Sequence, residues 1–171
     1  MTGNVKAIDD LNDAEIAAFI KNYERLGKTE GGVWPLSELH REQSRRVSSK
    51  FSPREMIDAI LRLCRESDDR RVSYVAIWNA FEPETPWQAY HSQKQVTNGL
   101  YKVGAYCLDH GMPMLSVLVV PATTRVLTEE AVNNIWSFAK DRGADVGENA
   151  AIYVENEAVR ALDLIESGLT T

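Results

Sequence analysis

Apolar residues recur at three- and four-residue steps along most of the chain, and that period predicts helices. After Asn12 and Glu15, spaced as a capping box, Ile16, Phe19, Ile20, Tyr23 and Leu26 line one face until Gly27 ends the run. Gly31 and Gly32 break the chain, and Pro35 introduces a second helix over residues 36 to 47. Ser52-Pro53-Arg54-Glu55 combines a Ser cap, Pro in the first turn and Glu three residues after the cap. The helix it starts carries a wide stripe of Met56, Ile57, Ile60, Leu61, Leu63 and Cys64 and stops at Ser67-Asp68-Asp69.

The pattern then shortens. Val72-Ser73-Tyr74 reads as a short strand or turn, and Tyr74, Ile77, Trp78 and Phe81 share one face of a two-turn helix. The segment EPETPWQAYH, with Pro83 and Pro86, reads as a loop carrying Trp87, Tyr90 and His91. A long helix from Ser92 to His110 follows, with Val96, Leu100, Val103 and Cys107 inward and Gly99 beside them to permit close contact. Gly111 and Pro113 stop it.

Leu115 to Val120 is a continuous apolar run rich in β-branched residues, the mark of a buried strand, and Arg125-Val126-Leu127 is its expected antiparallel partner. A helix capped by Thr128 and ended by Gly143 buries Val132, Ile135, Trp136 and Ala139; another over 150 to 166 buries Ile152, Val159, Leu162 and Ile165. The expected fold is mainly α with a small β-hairpin: an N-terminal helical extension over 1–50, and a helical domain over 51–171 that forms one compact unit with it.

Short strand, short helix, loop, longer helix and hairpin is the element order of a winged helix-turn-helix, in which the second helix enters the major groove and the hairpin is the wing. Tyr74, Tyr106, Cys107, Gly111, Pro113, Leu115, Ser116, Leu118, Val119 and Val120 carry a further likeness. Through them the run from Tyr74 to Val120 resembles a winged-helix-like segment of bacterial and phage proteins of restriction, defence and mobile elements. The Gly- and Pro-rich continuation that often follows the Val-Val of such segments is absent, and PATTRVLTEE leads directly into another helix. The resemblance implies a winged helix-turn-helix-like core with flanking helices and a role on nucleic acid.

Charge limits that role. The chain has 171 residues and a formal charge of -6, so a protein whose whole surface binds nucleic acid is excluded, whereas a local basic face is not. One such face is offered by Arg41, Arg45, Arg46, Lys50 and Arg54, against Glu42 alone; from Gly111 onward the chain is acidic, with nine carboxylates against four cations. Candidate nucleic-acid contacts are Lys94, Asn98, Tyr101 and Lys102 on the expected reading helix, with Arg45, Arg46 and Arg125 as phosphate partners. The ordinary alternative for each is a solvated or paired surface residue.

Chemistry beyond binding finds little support. His40, His91 and His110 have no ligand-like spacing with each other or with Cys64 and Cys107, so no metal or other cofactor is expected. Cys107 and His110 lie one turn apart, but Cys107 falls on the inner stripe, where a reactive thiol is out of place. The N-terminal segment MTGNVKAIDDLND lacks the charged start and apolar run of a targeting signal, no stretch suits a membrane, and the two cysteines look like buried thiols of a reducing compartment. The expectation is a cytoplasmic, non-enzymatic nucleic-acid-binding or regulatory accessory protein of a phage, mobile-element or defence setting, with duplex DNA as partner and homodimerisation open. The alternative is a protein-interaction module or inhibitor that uses the acidic C-terminal face or Trp87, Tyr90 and His91.

Overall fold

A computed structural model describes residues 5–168; the first four residues of the expected N-terminal extension and the last three of the C-terminal segment lie outside the described residues. Seven α-helices dominate the described residues: α1 (Asp13–Leu26), α2 (Leu36–Arg46), α3 (Pro53–Glu66), α4 (Tyr74–Phe81), α5 (Ala89–Asp109), α6 (Glu129–Asp141) and α7 (Ala150–Ser167). Two strands of two residues each, β1 (Val72–Ser73) and β2 (Val119–Val120), pair in parallel, with Val72 opposite Val119 and Ser73 opposite Val120.

Local chemistry accounts for several helix ends. The Asn12 side chain accepts the Glu15 N–H at 2.8 Å and Glu15 accepts the Asn12 N–H at 2.8 Å, so both halves of the capping box form, and Gly27 closes α1 in the left-handed region. Thr128 and Asn149 cap α6 and α7 by accepting the Ala131 and Ile152 N–H groups. At Ser52 the expected cap is not made: α3 begins with Pro53 at its first position, but the Ser52 side chain makes no cap hydrogen bond.

α1 and α2 form an antiparallel pair over a small core of Leu11, Ile16, Ile20, Tyr23 and Leu39. α2 then packs against α5 and α6, which ties this pair to the larger core. That core is built on α3, α5 and the apolar run after Pro113, with Met56, Ile57, Ile60, Leu61, Trp78, Val96, Val103, Leu115 and Leu118 almost fully buried. Trp78 is its largest member. Its ring meets Phe51 and Trp87 edge-on, at 6.2 and 6.4 Å between centroids, and its indole N–H donates to the Thr85 carbonyl at 2.9 Å. Burying ~200 Å² of such a side chain contributes about 5 kcal/mol.

The antiparallel hairpin is the main correction. Leu115–Leu118 turns as a 3-10 helix, and only Val119 and Val120 extend, pairing with β1 rather than with residues 125–127. The connection permits the parallel sense, since α4 and α5 lie between the two strands and form the long crossover that parallel pairing requires. The 3-10 turn lets Leu115, Val117 and Leu118 all bury in one core, which a strand with alternating faces does not allow. Arg125 stands at φ 59, in the left-handed region, where its N–H donates to the Pro121 carbonyl at 3.0 Å and its guanidinium reaches Asp69 at 2.9 and 2.7 Å and the Arg71 carbonyl. A residue so placed ends a strand.

Two smaller differences concern registers. α5 starts at Ala89 rather than Ser92, because nothing after Pro86 forbids helix and Ser92 Oγ accepts the Gln88 N–H at 2.9 Å, so Tyr90 and His91 are helical residues and not loop residues. On α7 the buried positions are Val154, Glu157, Ala161 and Ile165, while Ile152 and Val159 are 57% and 59% exposed. That face carries Val154, Ala161 and Ile165 into the core and lets the Glu157 carboxylate accept the buried Met114 N–H at 2.7 Å.

Candidate nucleic-acid interface

α5 crosses the centre of the molecule, and its three flanks meet different surroundings. Val96, Val103 and Cys107 enter the core, and Gly99 lets the Met56 thioether and the Phe51 ring approach as closely as the sequence pattern predicts. On a second flank Leu100, Tyr101 and Gly104 face α6, where the Tyr101 ring stacks on Phe138 at 5.8 Å between centroids. On the third, Lys102, Ala105, Tyr106 and Asp109 line a shallow depression together with Ser44 and Arg45 of α2 and Pro53 at the start of α3. Lys102 and Arg45 are therefore neighbours, and part of the basic stretch shares a face with α5.

Between Thr85 and Leu108 the chain has no Asp or Glu, although its net charge is -6. The outer side of α5 consequently presents ammonium, amide and phenol groups: Lys94 and Tyr101 are exposed, and Asn98 and Lys102 are half-buried. The side chains of Lys94, Asn98 and Lys102 neither hydrogen-bond nor pair with another described residue, so their polar ends are without a protein partner.

The arginines behave differently. Arg46 donates to Glu42 at 2.7 Å, to the Leu11 carbonyl at 2.6 Å, to Asp13 at 3.2 Å and to the Ile8 and Asp9 carbonyls, each at 3.3 Å. It is a clamp that holds the segment before α1 against α2. Arg125 clamps Asp69, Ser67 and the Arg71 carbonyl, and it holds the Asp69 carboxyl far below its ordinary range. Arg45 is exposed and pairs with Glu42 at 3.2 Å through one nitrogen, which leaves the rest of its guanidinium open. Of the seven candidate contacts, Lys94, Asn98, Tyr101, Lys102 and Arg45 lie on or beside α5; Arg46 and Arg125 are spent on the fold. The spacing of Arg45 and Arg46 three and four residues after Glu42 is the one sequence signal for the Glu42 pairing.

Other arginines are also structural. Arg41 donates to the Arg142 carbonyl, Arg65 to Ile165, Arg71 to Val117 and Arg160 to Gly111. Arg142 is buried, donates to Ser44 Oγ at 2.7 Å and to the Phe138 carbonyl at 2.9 Å, and lies 3.5 Å over the Phe138 ring. Burial without a bonded carboxylate pushes its pKa down to about 10.

The aromatic group separates in the same way. Trp87 is half-buried and His91 is exposed, and each meets the Trp78 ring edge-on at 6.4 Å, whereas Tyr90 is 82% exposed. Cys107 is buried and its thiol is pushed up to about 11, while exposed His110 stacks on Tyr106 and its Nδ1 lies 2.8 Å from the Tyr106 carbonyl. A buried, protonated thiol is a poor nucleophile. Among the described residues no group of three or more His, Cys, Asp or Glu is arranged to hold a metal ion, and no helix is long and apolar enough to cross a membrane.

No protein family, curated protein or solved structure matches the chain.

Proposed function

We propose that the protein is a non-enzymatic nucleic-acid-binding accessory that meets a duplex with the outer side of α5. The observation that carries this reading is the α5 surface of Lys94, Asn98, Tyr101 and Lys102, which bears no carboxylate before Asp109 and is flanked by Arg45, in a chain of net negative charge. Lys94, Lys102 and Arg45 supply the phosphate contacts, and the Asn98 amide and Tyr101 hydroxyl are groups suited to base edges. With Arg46 and Arg125 engaged internally and residues 125–127 not forming a wing strand, about three phosphate contacts remain. Binding is accordingly weak and salt-sensitive.

Fluorescence anisotropy with a labelled DNA duplex tests this. About three phosphate contacts give a slope of log K against log salt near -2.7, which amounts to a loss of roughly fortyfold between 50 and 200 mM salt. Replacing Lys94, Lys102 and Arg45 together by Ala removes the slope. Absence of binding at low salt, or a slope that the triple variant leaves unchanged, overturns the proposal.

A second reading rests on a different face. The outer side of α7 exposes Ile152 and Val159 beside Glu155, Asp163 and Glu166, a mixture of apolar anchors and carboxylates suited to a basic amphipathic protein segment. Retention of a Lys/Leu-rich helical peptide that is lost on replacing Ile152 and Val159 by Asp supports this reading; equal retention by both proteins removes it.

A further inference from the structure

The cleft between α5 and α6 has a volume of about 150 Å³ and a lining with a distinct chemistry. Leu100, Ile135 and Phe138 are prominent in its apolar walls, with the Tyr101 ring stacked on Phe138 at one edge. Tyr74, Thr97, Ser116 and Asn134 also line it; the side chains of these four make no hydrogen bond with another described residue, and their polar atoms are open to water. No Lys, Arg, Asp, Glu or His reaches the lining. Residues from four parts of the chain thus converge on one small space, and their hydroxyl and amide groups are left without protein partners.

We infer that this cleft binds a small neutral ligand, a single ring carrying one hydroxyl group. The volume suits one ring, since a space of ~150 Å³ accommodates a benzene-sized group, and the exposed Tyr101 and Asn134 leave the cleft open to solvent at its edge. The absence of charged lining groups sets the charge: an ionised ligand would lose hydration with no counter-ion to replace it. The free hydroxyl and amide groups set the polarity, because a ligand hydroxyl can both donate and accept there, as bare hydrocarbon cannot. Gly104 helps to keep the shape. A Cβ at that position would stand 2.8 Å from the Phe138 ring and 3.4 Å from the Met114 methyl, so a side chain there forces the wall to move. The inference stands whether or not α5 binds nucleic acid.

Phenol is the probe, titrated into the isotope-labelled full chain while backbone amide shifts are followed. The expected result is saturable binding with a Kd of about 1 mM, the range open to a ligand of so few atoms. Shifts concentrate at residues 97–104, 114–116 and 131–138, and benzoate and benzylammonium give no saturable change. Ala131, which also lines the cleft, is the position to fill. Ala131→Phe weakens phenol binding about tenfold or more by occupying the space. Should that variant fail to fold, Thr97→Val with Ser116→Ala replaces it, and the preference for phenol over toluene is expected to fall, Tyr74 and Asn134 being left in place. Non-saturating or dispersed phenol shifts, benzoate binding as well as phenol, or a preference for phenol undiminished by the double substitution overturns the inference.

Discussion

Removal of the Glu157 carboxylate is expected to loosen the turn that follows α5. Glu157 is 6% exposed, and its two oxygens serve different partners: one accepts the buried Met114 N–H at 2.7 Å, and the other accepts from Arg160 at 2.7 Å. Arg160 in turn donates to the Gly111 carbonyl at 3.0 Å, so carboxylate and guanidinium together fasten residues 111–114 to α7. In Glu157→Ala the Met114 N–H is left buried without an acceptor, a cost of about 1–3 kcal/mol. The Arg160 side chain is 50% exposed and regains water, so the lost ion pair adds at most about 1 kcal/mol. The sum is about 1–4 kcal/mol, a fall in Tm of roughly 2–16 °C for a chain of this size. Glu157→Gln keeps an acceptor for Met114 and costs about 1 kcal/mol, and Arg160→Ala costs no more than that. Urea unfolding and thermal melting followed by circular dichroism measure all three. If Glu157→Ala costs less than about 0.5 kcal/mol, or no more than Arg160→Ala, the Met114 N–H does not depend on this carboxylate and the reasoning is wrong.

Two further outcomes follow from burial. Burial pushes Cys64 up to about 12 and Cys107 up to about 11, from an ordinary 9.0, so neither thiol reacts with a disulfide reagent at pH 8 until the protein is unfolded. Because the unfolded thiols ionise first, the stability these groups contribute is complete below pH 9 and declines as pH rises through 9 toward 11–12. Reagent titration and pH-dependent unfolding check both statements, and one thiol reacting rapidly in the native state refutes them. The two α5 glycines are expected to differ. At Gly99 a Cβ would meet the flexible end of Met56, at 2.7 Å from its methyl, whereas at Gly104 it would meet the rigid Phe138 ring. Gly99→Ala is then offset by about 1 kcal/mol of helix propensity, while Gly104→Ala loses about 1–3 kcal/mol to overpacking before the same gain. Equal stabilities in urea would show that Phe138 yields as easily as Met56.

The helices were legible in the sequence because their determinants are local. Asn12 with Glu15, Pro53, Thr128 and Gly27 act within one turn of chain, and the apolar period of residues 56–64 and 96–107 reports which face is buried whatever lies opposite. The candidate surface was legible in part, since Lys94, Asn98, Tyr101 and Lys102 sit on an exposed α5 side by period alone. What only the tertiary structure decided involves partners distant in sequence. Leu115–Val120 has the composition of a strand, yet packing all of it into one core required a 3-10 turn and left two residues to pair in parallel with Val72 and Ser73. Arg46 and Arg125 look like free cations until Leu11, Asp13 and Asp69 are brought to them, and Ile152 and Val159 look like core until Val154, Ala161 and Ile165 enter it and Glu157 meets Met114 on the same face of α7. Local rules set several helix ends and the inward faces of α3 and α5; which face of α7 is inward and which charge is free depends on long-range partners that no short window of sequence contains.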